Sequence, residues 1–460
     1  MTEPSHDAIV LGAGPAGLAA ATLLAEQGAR TLLLDEQAAP GGQIWRGVED
    51  ASPTALRVLG ADYARGGDLA ARMRASGAEY VPGASVWNIT RAREVYYTLA
   101  GASRRVTAGV LILATGAMER PVPVPGWTLP GVLTAGALQI LLKTGGIVNR
   151  GLILAGTGPL LYLLARQYIA AGAPHLVLLD MTVPAHRRAS LRHLPAALRP
   201  AGLGYLWKGF RFFERMQRAG VPVYRGVSDV VIEGNGKVEA VRFRQGGRAH
   251  HLPAHTVGLH AGIIPATHIP RALGCAMAWD AAQHCFRPVL DAWGQSSAEN
   301  ILIAGDGGGI IGARAAEHAG RIAAAQALHL LGRIDPAGRD RLAAAERRRL
   351  AAHAAIRPFL DRRFFPPAGV LRPADAVTVC RCEEITAGQV RAVARAGAQG
   401  PNQAKAYLRA GMGPCQGRLC GPIVTELFAE TQGRAPEEVG AYGIRPPFKP
   451  LTVGELAATE

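Results

Sequence analysis

Two stretches of the chain share one rhythm of apolar and polar positions. In "AIVLGAGPAGLAAATLLAEQGARTLLLDE" an apolar strand runs into a glycine turn, an Ala/Leu-rich helix opens, and a second apolar strand closes on Asp35. "GLILAGTGPLLYLLARQYIAAGAPHLVLLDM" repeats that order, with Gly172 following Gly156 by 16 residues as Gly28 follows Gly12. Each is the strand–turn–helix–strand signature of a dinucleotide-binding unit. "GVLILATGA" predicts another buried strand, ending at Thr115-Gly116, and "ENILIAGDGGGIIGARAAEHAGRIAAAQAL" a strand ending at Gly305-Asp306 before a glycine turn and a helix. "VVIEGNGKVEAVRF" reads as a hairpin around Asn235-Gly236. The expected class is α/β, with two Rossmann-like domains. The first is discontinuous, 1–125 and 285–345, and the second, 126–284, is inserted into it. A basic helical stretch and a proline-rich linker (346–374) then lead to a small helical module at 375–435 and a tail at 436–460.

Each glycine of the first unit has a physical task. Gly12 permits the tight turn, Gly14 lets backbone approach a pyrophosphate, and Gly17 lets the helix pack on the strand. The helix N-terminus offers free N–H groups and a positive dipole end to phosphates. Asp35, 23 residues after Gly12, is placed to accept from a ribose hydroxyl. The second unit keeps Gly156, Gly158 and Asp180 but has Leu161 where the first has Gly17. A leucine there is expected to hold the helix off the strand and spoil the pyrophosphate approach, while Asp180 disfavours a 2′-phosphate. His186–Arg188 lie several residues too late in the loop to read one. A structural nucleotide, NAD or ATP, and a working NADH site stay open for this unit.

Charge alters the picture little. The net +15 is almost all arginine, because lysine occurs only at Lys143, Lys208, Lys237, Lys405 and Lys449. No basic run is long or interleaved with aromatics, so no nucleic-acid partner is expected; a cationic face steering an acidic protein stays open. The most apolar region, "AGALQILLKTGGIVNRGLILAGTG", is broken by Lys143, Asn149, Arg150 and glycines, short of the roughly 20 apolar residues of a spanning helix. The N-terminus runs straight into a strand, and the expected location is the cytoplasm, reached without a targeting segment.

Four of the six cysteines fall in "VTVCRCEEIT" and "GMGPCQGRLCGP": Cys380, Cys382, Cys415 and Cys420, as C-x-C, 32 residues, C-x4-C. In a reducing compartment such a cluster binds metal rather than forming disulfides. Two short helices between the pairs and a third in "GPIVTELFAE" would bring the thiolates together. The spacing allows zinc or an iron–sulfur cluster, and nearby Arg381, Lys405, Arg409 and Arg418 would offset an anionic cluster. Cys275 and Cys285 read as small buried hydrophobes, and no C-x-x-C follows either glycine motif, so a disulfide reductase is not supported. His250, His251, His255 and His260 lack one-face helical spacing, and no G-x-S-x-G elbow occurs. The chemistry on offer is cofactor-borne redox chemistry.

Taken with "PGGQIWR", "GVLILATGA" and "AGDGGGIIGARAAE", the first unit resembles the two-dinucleotide-domain flavoproteins, which implies FAD. The resemblance assigns to FAD Gly12, Gly14, Pro15, Ala16, Gly17, Asp35, Glu36, Gly42, Gln43, Val86, Thr115, Gly116, Gly305, Asp306, Gly312 and Ala313. The isoalloxazine would lie near Gly42, Gln43 and the turn after Asp306, whose carboxylate would bond the ribityl chain. "CRCEEIT" and "GMGPCQGRLCGP" are similar to the small [2Fe–2S] domain named after bacterioferritin-associated ferredoxin, which makes the four cysteines cluster ligands. With "PVPVPGWTLPGVLTAGALQ" and "RPVLDAWGQSS", the whole chain resembles the FAD-binding α subunits of heteromeric amino-acid and opine dehydrogenases. Octopine/nopaline oxidase, D-hydroxyproline or proline dehydrogenase and hydrogen cyanide synthase belong to that family. The resemblance implies a D-amino-acid-oxidase-like β subunit that oxidises the CH–NH donor, an optional small ferredoxin-like γ subunit, and attachment to the inner membrane, if any, only through the complex. Against this electron-transferring role stand a stand-alone NADH-dependent oxidoreductase and a non-enzymatic assembly scaffold. "IRPPFKPLTVGELA" in the tail is expected either to dock a partner or to fold back on its own domain.

Overall fold

A computed structural model of the chain describes residues 4–458. The first unit builds a parallel sheet in the order Glu79–Pro82, Thr31–Asp35, His6–Leu11, Ala102–Leu113, Ile301–Ile303. The last strand arrives from far along the sequence, so this domain is discontinuous. The N-terminal half of Ala102–Leu113 leaves that sheet to pair antiparallel with Glu94–Leu99, which pairs with Ser85–Ile89. The helices Pro15–Glu26 and Ala313–Leu330 cover one face and cross where Gly320 meets Ala16: a Cβ on Gly320 would lie 2.1 Å from the Ala16 carbonyl oxygen.

The second unit is also a parallel sheet, Val223–Arg225, Leu176–Asp180, Leu152–Thr157, Thr256–Ala261, Val132–Thr134. A three-stranded antiparallel sheet, 228–253, flanks it and contains the turn at Asn235-Gly236. Ala117–Glu119 and Ile263–Pro265 pair antiparallel as the two crossings between the domains. The inserted unit therefore ends near 262 rather than at the expected 284, and Leu273 and Cys275 already pack on the first sheet. Apolar runs buried on both faces explain both sheets: Ala8 to Val10 and Leu152 to Ala155 are all fully or almost fully enclosed.

Residues 346–374 are not a free linker. The helix Pro336–Ala354 runs through the expected boundary, Arg357–Arg363 follows at once, and Ile356, Phe359 and Val370 are buried against the body. Alanine-rich composition carries the helix on, and Pro358 falls in the first turn of the next helix, where a missing N–H costs nothing. The small module consists of the ribbon Thr378–Cys380 with Ile385–Thr386 and the helices Ala387–Arg395, Pro401–Leu408 and Gly421–Gln432 around its own core. The tail folds back on the chain. Phe448 is 1% exposed, its N–H bonds to the Trp87 carbonyl at 2.7 Å, and Lys449 pairs with Glu36. No helix among the described residues is long and apolar enough to cross a membrane.

Candidate cofactor sites

At the first glycine turn the packing leaves no room for side chains. A Cβ on Gly17 would sit 1.8 Å from the Gly12 carbonyl oxygen, and one on Gly12 would meet the Ala114 carbonyl at 2.7 Å. Pro15 opens the helix at N1, followed by Ala16. Gly42 closes against Gly14, where a Cβ on Gly42 would lie 2.8 Å from the Gly14 Cα. Asp35 is buried and turned inward: its carboxylate accepts from the N–H of Ala13 and, at 2.6 Å, of Gln37. Burial pushes its pKa up while those donors pull it down. Asp35 therefore braces the turn, while its exposed neighbour Glu36 pairs with Lys449 from the tail and accepts from Gln37 Nε2 at 3.3 Å. Thr115 and Gly116 lie just beyond the central strand, with open space over Gly116, and Val86 sits in Ser85–Ile89. After Gly305, one Asp306 oxygen accepts from Ile311 N–H (2.7 Å) and Gly312 N–H (2.8 Å) at the start of the helix Ala313–Leu330; among the described residues no hydrogen bond occupies the other.

Two side chains at this site escaped the sequence reading. Arg46, in "PGGQIWR", has Nε and Nη2 buried without partners, a cation held beside Asp35 and the glycine turn. Lys143 is 7% exposed and donates to the Gln43 carbonyl and to Gln139 Oε1, both at 2.9 Å. Burial, then Arg46, brings its pKa down to about 7. A charged residue inside an apolar helix was the available signal. The bare turn, the Gly14–Gly42 approach and the orphaned Arg46 donors fit a dinucleotide whose pyrophosphate supplies the missing acceptors.

The second turn is shaped by its own protein. A Cβ on Gly156 would fall 1.7 Å from the His260 carbonyl, and one on Gly158 would lie 2.9 Å from the His260 ring. Leu161 is 1% exposed, packed in the core that Gly17 leaves to a backbone contact in the first unit. Asp180 is already engaged: Oδ2 accepts from the Tyr162 hydroxyl (2.7 Å) and Arg187 Nη2 (3.2 Å), and Oδ1 from Thr182 N–H (2.9 Å). Arg187, discounted from its place in the loop, thus reaches back to the strand end on the helix Pro184–Ser190, while His186 packs edge-on to Phe365.

The remaining histidines separate. His250 stacks on Phe243, His251 pairs with Glu233, His255 lies under Gly151, and His260 bonds Glu119 at 2.7 Å. Cys275 and Cys285 are buried, and burial raises both thiols, Cys285 to about 12, which keeps them protonated and inert.

The four clustered cysteines come together as two pairs. The Cys420 thiol donates to the Cys380 sulfur, and Cys382 and Cys415 form a second hydrogen-bonded pair. The bond from Cys420, opposed by burial and helped by the N–H groups of Gly411, Glu383 and Cys382, brings Cys380 down to about 6; Cys420 is pushed up. Among the described residues no three of these side chains converge on one mononuclear site. Two thiol pairs with backbone N–H donors on sulfur suit a two-iron cluster, where each iron takes two thiolates, better than a single tetrahedral zinc.

The cluster module rests on both units, through Trp127 in the core of the second and through the 268–284 segment packed on the first. Arg120, buried after the first crossing, donates to the carbonyls of Gln283 (2.7 Å) and His284 (3.0 Å). His284 Nε2 lies 2.7 Å from the buried carboxylate of Glu426 in the cluster module. Trp127 Nε1–H bonds the Thr378 carbonyl at 2.7 Å, and His268 meets the Gln416 carbonyl at 3.1 Å, one residue past Cys415.

Residues 6–150 match the model of the family described as pyridine nucleotide-disulphide oxidoreductase, and residues 378–430 that of the BFD-like [2Fe-2S] binding domain. Over 453 residues the chain is 49% identical to the A subunit of opine oxidase from Rhizobium meliloti (strain 1021), covering 98% of both. The chain belongs to the family of opine oxidase A subunits. It is also 32% identical to the hydrogen cyanide synthase protein HcnB of Pseudomonas aeruginosa, covering 96% of each. The L-proline dehydrogenase of P. horikoshii shares the fold across 98% of this chain and 79% of its own, with a TM-score of 0.70 at 18% identity. As a member of the opine oxidase family the chain is a subunit of an oxidoreductase acting on CH–NH donors, carrying FAD-type and [2Fe–2S]-type modules.

Proposed function

We propose that this chain is the electron-relaying subunit of a heteromeric amino-acid, imino-acid or opine dehydrogenase, whose substrate is oxidised in a D-amino-acid-oxidase-like partner. The seam carries this reading: a buried set of side chains joins the flavin-type turn system to the module of the four cysteines. Arg120, His284 and Glu426 tie crossing, hairpin and cluster helix together. When bound, FAD exchanges electrons in pairs and an iron–sulfur cluster singly. This chain's residues keep the two sites at a fixed spacing. Gly12, Gly14, Pro15, Ala16 and Gly17 would hold the pyrophosphate and Arg46 would neutralise it. Glu36 would take the ribose, Gln43 on its Lys143 anchor would face the flavin, and the free Asp306 oxygen would take the ribityl chain. Cys380, Cys382, Cys415 and Cys420 would hold the cluster.

The second unit fits a structural nucleotide, NAD or ATP, better than NADH turnover, because Asp180 spends its acceptors on Tyr162, Arg187 and Thr182. That favours the relay over a stand-alone NADH oxidoreductase. The cationic surface suits an acidic partner, including a small ferredoxin-like subunit. Purifying the tagged chain from its own host under mild salt tests the proposal. A stoichiometric flavoprotein of the D-amino-acid-oxidase type is expected, together with substrate-dependent dye reduction by the complex only. A chain that purifies alone and turns over NADH would overturn it.

A further inference from the structure

The matched [2Fe-2S] domain ends at residue 430, but the enclosure around its cysteines does not. Tyr442, in the tail, is 4% exposed and stands inside the ligand loop. Three glycines of that loop face its ring. A Cβ on Gly411, Gly417 or Gly421 would come within 2.6, 2.5 or 3.3 Å of ring atoms, so no larger residue fits at the first two. Lys405 Nζ lies 4.8 Å from the ring centroid, and the hydroxyl is 3.9 Å from Cys420 Sγ.

Both flanks of the tyrosine are fastened to the same module. Thr425 Oγ1 donates to the Gly440 carbonyl (2.9 Å), Gly443 N–H to Asn402 Oδ1 (2.7 Å), and Lys405 Nζ to the Gly443 carbonyl (3.1 Å). Beyond them Gln416 bonds the Pro447 carbonyl and Arg418 that of Phe448 (2.9 Å), so the loop carrying Cys415 and Cys420 is braced against the tail. The glycine content of "AGMGPCQGRLCGP" thus answers to a residue more than twenty positions further on.

The free Cys420 thiol also points at the Tyr442 oxygen. We propose that Tyr442 belongs to the iron–sulfur site: once Cys420 ligates iron as a thiolate the contact reverses, so that the hydroxyl donates to the sulfur and sets the cluster's reduction potential while the ring fixes the ligand loop. This rests on the four cysteines holding a [2Fe–2S] cluster. A phenol of ordinary pKa near 10 is a neutral donor at pH 7. Reduction adds negative charge to the cluster, some of it on the ligand sulfurs. A donor aimed at one sulfur stabilises the reduced form more than the oxidised one and raises the potential. Cys420 is fully enclosed, so the bond acts where the dielectric is low and its effect is large. Tyr442 is a positioning residue, since it acts through Cys420.

The test is a spectroelectrochemical titration of the full-length chain, native, Tyr442→Phe, and with 3,5-difluorotyrosine installed at 442. Phenylalanine keeps the ring in its glycine cradle and removes only the hydroxyl. Its cluster content should equal the native one. At the potential where the native cluster is half reduced, its oxidised-to-reduced ratio should rise about tenfold, a negative shift of about 59 mV for one electron. Titrated at a pH of about 6, where its more acidic phenol stays protonated, difluorotyrosine is a stronger donor and should shift the potential the other way. A native cluster whose potential is unmoved in the phenylalanine variant overturns the role of Tyr442 alone. Should that variant lose its cluster, the difluorotyrosine chain decides, and an unmoved potential there has the same meaning. A native chain without the visible and EPR signature of a [2Fe–2S] cluster overturns the ligand assignment and the proposal with it.

Discussion

Lys143→Met probes the flavin-side loop through an unusual titration. The native amine is buried beside Arg46 and titrates near pH 7, whereas an unfolded lysine titrates near 10.5. Between those values the unfolded chain binds a proton that the folded chain does not, so stability rises with pH across that window. Below pH 7 both states are protonated and the folded state bears the full cost of a buried ammonium. Each pKa unit is worth about 1.4 kcal/mol, so the gap corresponds to about 4–5 kcal/mol regained between pH 7 and 10.5. Methionine conserves the apolar stem and cannot titrate. It also leaves the Gln43 carbonyl and Gln139 amide oxygen unpaired, at about 1–3 kcal/mol each. Urea unfolding followed by flavin fluorescence at pH 7, 8.25 and 9.5 reads the difference between native and variant chains. The native chain should gain about 3 kcal/mol on the variant across that range. Two stability curves that stay parallel would show that Lys143 is charged throughout, and the burial argument would be wrong.

Gly17→Ala places a methyl group 1.8 Å from the Gly12 oxygen and cannot be relieved by a rotamer, so the chain should lose at least about 3 kcal/mol and its bound flavin; retained 450 nm absorbance would contradict this. Cys415→Ser should abolish the iron–sulfur bands while leaving flavin content intact, because the two modules have separate cores; iron assays and circular dichroism check both. Leu161→Gly restores the first unit's spacing but opens a cavity in the core, costing about 3–5 kcal/mol. It should not create NADH binding while Asp180 stays bonded to Tyr162 and Arg187, and fluorescence titration would detect it if it did.

The parallel sheets and glycine turns were legible because their causes are local: an apolar run, a turn that excludes Cβ, and an acid at the strand end. Cysteine spacing marked a metal site for the same reason. What could not be read depends on contacts between distant segments. Asp35 and Glu36 are adjacent in sequence, and only the fold turns one inward to Ala13 and leaves the other at the surface, paired with Lys449. Residues 346–374 looked like a linker because prolines punctuate them, yet those at helix starts break nothing. Arg187 seemed misplaced along the loop until the helix Pro184–Ser190 carried it back to Asp180. Tyr442 left no local trace; its signal lay in three glycines elsewhere, whose purpose appears only once the tail is docked.

An anaerobic absorbance titration of the chain purified alone tests the relay most directly. NADH is added to one cuvette, hydroxyproline or an opine to a second, and dithionite to a third, while flavin and iron–sulfur bands are followed. For a relay only dithionite bleaches both chromophores, and the amine donor does so once the partner protein is added. Rapid bleaching by NADH would make the second dinucleotide unit a working site and contradict the relay.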